Sequence, residues 1–401
     1  MMRQLMDRRS VVYVMISAAV FACASVFYSR ILNLYSIDHY FPHTSLNFWF
    51  WVADIVGPLL AAVGIGTLAD RSGCKVAISL SIGILSVGLI GSGETLVWIG
   101  SVSNPANLGI ADTISLVVFH CAIEGAVVAM LITTMVYMFE SAPAHLRGLY
   151  VAIAVAIQGI AVAICVVADD RFLACARCMK SISSAQLLLI AAVILAPFAV
   201  LAWNANEPAF HDGHPAQWRK IAFPGLLLML LLNFAGIAML ALSRSLGSGY
   251  FSEFAYSFLG SLIGAALAIL AGFISDRYGR KPAMLIPATL VAVIPVCALL
   301  NHVLPFYGVV TVSIVGALAY AFLRPAIFVA LIEALPREIR VRSLLAFAAV
   351  SDGLLACYQG YKPRGLVFGD LIDWEIVIVV GCCAIALFPN VVQKEGRGAG
   401  S

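Results

Sequence analysis

The chain has 401 residues, 62% of them hydrophobic and only 11% charged, with a formal charge of +3 and a mean hydropathy of +1.00. A water-soluble globule has no use for that much apolar surface, and so small a charge argues against a nucleic-acid partner. Runs such as Leu226 to Leu232 and Ile376 to Leu387 are continuously apolar rather than alternating, which in a bilayer means helices and not barrel strands.

A membrane-crossing helix needs about 20 apolar residues, and such stretches follow one another along the whole chain. Span 1, at 11–34, comes after Arg8 and Arg9 and contains Arg30. Its Ala22-Cys23-Ala24 could pass for a signal-peptide cleavage site. The apolar run continues to Leu34, however, too long for a signal segment, so it is read as uncleaved. Span 2 (47–69) carries Asp54, span 3 lies at 76–98, and span 4 (113–138) carries His120 and Glu124. Spans 5 and 6 lie at 149–168 and 185–203, and the polar break at 204–221 follows as the candidate linker. Beyond it come 222–242, 252–274 with the small pair Gly260 and Gly264, 283–300, 307–332 with Arg324, 344–361 with Asp352, and 374–391. The expected protein is all-α and integral to the membrane, with twelve transmembrane helices. Its domains are 1–203, the linker 204–221, and 222–401.

Lys and Arg set the orientation. With the N-terminus inside, sixteen of the 24 fall in inside segments and six in outside loops, while Arg30 and Arg324 lie within spans. Both termini are therefore expected to be cytoplasmic, in a plasma (inner) membrane, with the basic loop 169–184 as a local exception. Most of the ten cysteines lie in apolar runs as small buried hydrophobes. Cys175 and Cys178 form a Cys-x-x-Cys, open to a disulfide or redox reading, but no second pair completes a zinc site. No metal site and no cofactor are expected.

Two motifs repeat. Gly66-x-x-x-Asp70-Arg71-x-Gly73-x-Lys75 recurs as Gly272-x-x-x-Asp276-Arg277-x-Gly279-Arg280-Lys281, with an offset of 206 throughout. Glu140-x-x-Pro143-x-x-x-Arg147 recurs as Glu333-x-x-Pro336-x-x-x-Arg340, with an offset of 193. Two motifs repeated in the same order define a duplicated six-helix unit, and because six is even the copies run parallel.

At these residues the chain resembles the major facilitator superfamily, whose signature loop reads G-x-x-x-D-R-x-G-R-K. Glu140-Ser-Ala-Pro143 with Arg147, Gly148, Gln158 and Gly159 resembles the metabolite:proton symporters, which carry proline or betaine, dicarboxylates and shikimate. Glu333-Ala-Leu-Pro336, Arg340, Gln359-Gly360, Pro363 and Phe41-Pro42 match the same group. The chain departs from the pattern at Cys74, which replaces an Arg, at Phe27-Tyr28-Ser29, where the group has Trp-aromatic-Asp, and at Met130, where it has an acidic residue. No C-terminal coiled coil follows the last span, so osmotic activation through such a tail is not expected.

The resemblance implies that Asp70 meets the start of span 11 and Asp276 the start of span 5, as carboxylates at positive helix N-termini. Glu140, Arg147, Glu333 and Arg340 would extend this cytoplasmic gate through charge-assisted hydrogen bonds. Gly66 and Gly272 permit close helix approach, and Pro143 and Pro336 end their helices. The same charges also serve as plain loop anchors and topology signals.

Ionisable residues within spans call for partners. Arg30 and Asp54 lie at similar depths and could pair, and Arg324 and Asp352 form a second candidate pair. His120 and Glu124, four apart, share a helix face where a proton could pass between imidazole and carboxylate. Glu94 and Glu253 are read as interfacial. The resemblance implies a cavity lined by spans 1, 4, 7 and 10, and Arg30 and Arg324 favour a carboxylate-bearing or zwitterionic solute.

The expectation is a secondary active transporter working by alternating access, coupled to protons and functional as a monomer. Its partners are the lipid bilayer, the small polar solute and protons. The alternatives are a uniporter or exchanger of the same solutes, or a non-transporting sensor on the same fold. No P-loop, HExxH or Ser/His/Asp constellation speaks for ATP coupling or for an enzyme.

Overall fold

A computed structural model of the chain describes residues 2–34, 46–101, 110–178, 184–208, 222–233, 253–287 and 305–361. The described residues are almost entirely helical. Helix α1 is Met2–Leu34 and α2 is Leu46–Ala61; a π turn at Ala62–Gly66 joins α2 to α3, Thr67–Ser72. Then follow α4 (Cys74–Ser101), α5 (Ile110–Ser141), α6 (Arg147–Cys178) and α7 (Ser184–Trp203). After the linker come α8 (Ala222–Asn233), α9 (Glu253–Tyr278) and α10 (280–287). The last two are α11 (Pro305–Ala334) and α12 (Arg340–Tyr361).

Among these residues, five segments are long and apolar enough to cross a membrane: Arg9–Ser29, Val52–Ser72, Cys74–Leu96, Ile114–Ser141 and Ala144–Ala161. The span expected at 374–391 lies outside the described residues. One expected boundary is corrected. The stretch 169–178, read as part of an outside loop, continues α6 to Cys178, because Ala168 to Cys178 contains no Gly or Pro to end the ladder.

The surface is as apolar as the sequence requires for contact with lipid. Val63 is 75% exposed and Val193 70%, an arrangement hydrocarbon tolerates and water does not. Inside, helices meet over small residues. A Cβ on Gly125 of α5 would stand 2.6 Å from the Gly57 carbonyl oxygen of α2, so those backbones approach as only glycine allows.

Contacts divide the chain into two compact units. One comprises Met1–Tyr137, Ile164–Pro208 and Val341–Ala349; the other comprises Met138–Ala163, Ala209–Arg340 and Val350–Ser401. In the first, α7 packs on α4 and α1. In the second, α9 packs on α11, with Gly264 facing Ala321 in ordinary van der Waals contact. The units do not follow the sequence halves. The start of α12 belongs with α1–α5, and the start of α6 belongs with the C-terminal helices.

Candidate gate and intramembrane polar clusters

Each signature loop turns on a glycine. Gly73 and Gly279 have φ of 98° and 96°, values that non-glycine residues rarely adopt. Their N–H groups close the preceding helices by donating to Ala69 O and Ser275 O at 3.0 and 3.1 Å. Each turn thereby leaves an aspartate three residues earlier facing another helix.

In the first unit the Asp70 carboxylate accepts hydrogen bonds from Val341 N at 2.8 Å and Arg342 N at 3.2 Å, the opening amides of α12. Its side chain is only 3% exposed. Gly66 makes the approach possible, since a Cβ there would stand 2.8 Å from the Arg342 Cα. In the second unit Asp276 accepts from Gly148 N and Leu149 N, both at 2.8 Å, at the start of α6. A Cβ on Gly272 would lie 2.6 Å from the Gly148 carbonyl oxygen. Both carboxylates thus occupy the place where free amides and the helix dipole favour an anion.

The second motif prepares those helix starts. Pro143 and Pro336 adopt nearly identical dihedrals, φ −58° with ψ 146° and φ −59° with ψ 145°. Each ends its helix and opens a single 3₁₀ turn, Ala144–Leu146 or Arg337–Ile339, after which α6 or α12 begins.

The surrounding charges are wired differently in the two repeats. The Arg280 guanidinium donates to Asp276 at 2.8 Å, to Ser275 at 2.8 Å, and to both oxygens of Glu333 at 3.0 and 2.6 Å. Burial works against its charge, but Glu333 and Asp276 outweigh that and hold the guanidinium above its ordinary pKa. Glu140, the counterpart of Glu333, instead pairs with Arg340, both side chains being almost wholly buried. Arg340 also donates to the Leu335 carbonyl. Arg147 lies over the Phe139 ring, 4.9 Å from its centroid, with Arg340 6.0 Å from the same ring. Arg71 and Arg277 are exposed, and Lys75 and Lys281 half-buried.

Glu207, which the sequence assigned only to the linker, accepts from Cys74 N at 2.5 Å and Lys75 N at 3.1 Å, capping α4. Only its position after Trp203, the last residue of α7, hinted at a cap.

Within the spans, His120 is the hub of one cluster. Its Nε2 lies 2.8 Å from Asp54 Oδ1 and its Nδ1 3.1 Å from the Tyr28 hydroxyl. The edge of Phe50 meets the ring at a centroid distance of 4.7 Å. Glu124, one turn along α5, places a carboxylate oxygen within 4.8 Å of one ligand atom each of Asp54 and His120. Asp54 therefore meets His120, and the Arg30 side chain, its expected partner, lies outside the described residues. Arg324 and Asp352, the second candidate pair, each have other partners. Arg324 Nη2 donates to Gln158 Oε1 at 3.2 Å, and Asp352 accepts from Asn233 Nδ2, with Ser351 beside it. A separate groove of about 640 Å³, lined by Trp49, Val56, Leu60, Leu80 and Val118, is apolar and offers no anchor for a polar solute.

No protein-family model and no curated protein sequence matches the chain. Solved structures match it in fold. A double-tryptophan mutant of XylE aligns with a TM-score of 0.75 at 16% identity, covering 94% of this chain and 95% of its own. FucP, the E. coli fucose:proton symporter, gives 0.66 at 13% identity over 94% and 96%. A bacterial homologue of the iron transporter ferroportin gives 0.64 at 12% over 94% and 96%. The chain therefore has the major facilitator fold, an all-α integral membrane architecture of twelve transmembrane helices in two parallel six-helix repeats.

Proposed function

We propose that the chain is a secondary active transporter of the major facilitator superfamily, moving a small carboxylate-bearing or zwitterionic solute by alternating access with proton coupling. The observation that carries this reading is the doubled clasp, with Asp70 on the start of α12 and Asp276 on the start of α6. Each joins residues from opposite sides of the 204–221 linker, as a gate between halves 1–203 and 222–401 requires. On this reading the two repeats rock about a mid-membrane site.

The solute class is argued from the residues, because the neighbours' own titles name xylose, fucose and iron. Gln158 engages one of the five N–H donors of Arg324, and the remaining fork suits a carboxylate. The motif resemblance to the metabolite:proton symporters points the same way. Glu124, with His120 and Asp54, is the candidate proton carrier, and two of the neighbours are titled proton symporters. The chain would act as a monomer in the inner membrane with both termini cytoplasmic.

The test is uptake by proteoliposomes under an imposed pH gradient, with a panel of dicarboxylates, betaines and proline. At least one member should accumulate. Glu124→Gln should abolish accumulation while sparing exchange of that solute down its own gradient. An absence of flux for every member, with the protein inserted and folded, would overturn the transporter reading for these solutes.

A further inference from the structure

We propose that Asp54, His120 and Glu124 form a binding site for a divalent first-row transition-metal ion. The three side chains come from two helices, Asp54 from α2 and the others from successive turns of α5. One ligand atom from each lies within 4.8 Å of the other two, and His120 Nε2 is 2.8 Å from Asp54 Oδ1. A metal bound at about 2.0–2.2 Å holds neighbouring donors roughly 3.3–3.6 Å apart in tetrahedral geometry. The observed spacing surrounds that value, so rotamer adjustments suffice to admit an ion.

The imidazole is already oriented for ligation. Its Nδ1 faces the Tyr28 hydroxyl, in a residue 1% exposed, and its Nε2 lies 2.8 Å from Asp54 Oδ1. A ligating histidine characteristically has its second nitrogen fixed in this way, which sets tautomer and ring angle together. Phe50 packs edge-on against the same ring and limits its rotation.

Charge and donor type narrow the occupant. Two carboxylates and a neutral imidazole carry −2, which a divalent cation cancels in an apolar surrounding. One nitrogen and two carboxylate oxygens suit Mn²⁺, Fe²⁺, Co²⁺ or Zn²⁺, whereas Ca²⁺ and Mg²⁺ prefer oxygen alone and Cu⁺ prefers sulfur. Cys121, next in sequence to His120, instead lines the apolar groove. The Asp54 side chain is half exposed, 50% against 8% for His120. Three protein ligands leave a further coordination position for water or a solute oxygen.

The inference concerns equilibrium binding and stands apart from transport, although it uses residues to which the proposed function gives a proton. Detergent-purified full-length protein, stripped with chelator, would be titrated with Zn²⁺ by calorimetry and with Co²⁺ by visible absorption. One ion per chain should bind. His120→Ala should abolish binding, Asp54→Asn and Glu124→Gln should each weaken it at least about tenfold, and Tyr28→Phe about 10- to 100-fold. Tyr28→Phe removes only a hydroxyl, so it serves even where His120→Ala does not fold. No bound ion, or an ion whose affinity survives Tyr28→Phe and Glu124→Gln unchanged, overturns the site and leaves a hydrogen-bonded proton network. A chain that binds the ion but carries no solute would sink the transporter reading alone.

Discussion

Asp70→Asn tests the clasp most directly. The buried Asp70 carboxylate accepts two backbone N–H bonds at the start of α12. Hydrogen bonds to a charged group contribute about 1.5–3 kcal/mol each, and a charge at a helix N-terminus adds up to about 2 kcal/mol. Asparagine keeps one acceptor oxygen but turns an NH₂ towards the second amide, so one bond is lost and the other becomes neutral. The net loss is about 2–4 kcal/mol, which at 1.4 kcal/mol per decade shifts a closed–open equilibrium about 30- to 1000-fold. Asp276→Asn removes the matching bonds from Gly148 N and Leu149 N at the start of α6. A reporter cysteine at Leu345, fully buried on α12, in a background without native thiols, should react more than tenfold faster with an impermeant maleimide in inside-out vesicles. Val155→Cys, on buried α6 surface, serves for Asp276→Asn. Labelling rates unchanged within twofold, together with normal transport, would reduce both aspartates to loop anchors.

The Arg340–Glu140 pair is almost entirely buried. Glu140→Gln should therefore destabilise the protein by about 3–5 kcal/mol, read as a fall in melting temperature, and Glu140→Gln with Arg340→Met should recover much of the loss. Gly272→Val should open the seam between α6 and α9 and lower both expression and melting temperature. A Cβ there meets Ala152 Cβ at 2.5 Å, whereas Gly264→Ala, with 3.8 Å of room, should stay within about 0.5 kcal/mol of the parent. If Gly264→Ala proved as damaging as Gly272→Val, close approach would not be the reason for Gly272. Arg324→Lys replaces a planar fork with a point charge and should raise KM about tenfold or more with little change in kcat, as measured by initial uptake rates.

Features governed by local backbone chemistry were legible in the sequence. The close approach at Gly66 and Gly272 and the helix stops at Pro143 and Pro336 depend on residue type at fixed spacing, and the duplication marks them twice. The shared face of His120 and Glu124 followed from helical period alone. Choice of partner was not legible. Counting residues from a span's end gives the height of Arg324 or Asp352 but not its direction around the helix axis, and Gln158 and Asn233 proved to be the groups that face them. A capping role for Glu207 was hidden for the same reason, since it links positions 133 residues apart. The helical stretch 169–178 was misread because its charges suggested a loop, whereas residues such as Ala, Leu and Arg continue a helix as readily in water as in lipid.

Cys74 stands where the second repeat has Arg280, and the charges of the two repeats are wired differently. In the second repeat Arg280 gathers Asp276, Ser275 and Glu333 on one guanidinium, so the clasp carboxylate and the motif glutamate are neutralised from within their own repeat. In the first repeat the matching side chain is a thiol, which can do neither. Glu140 is buried in an apolar surrounding, where its charge calls for a cation. Arg340 supplies it from the other repeat, at the residue immediately before the α12 amides that Asp70 caps. Glu207 takes the α4 amides that open beside the missing arginine.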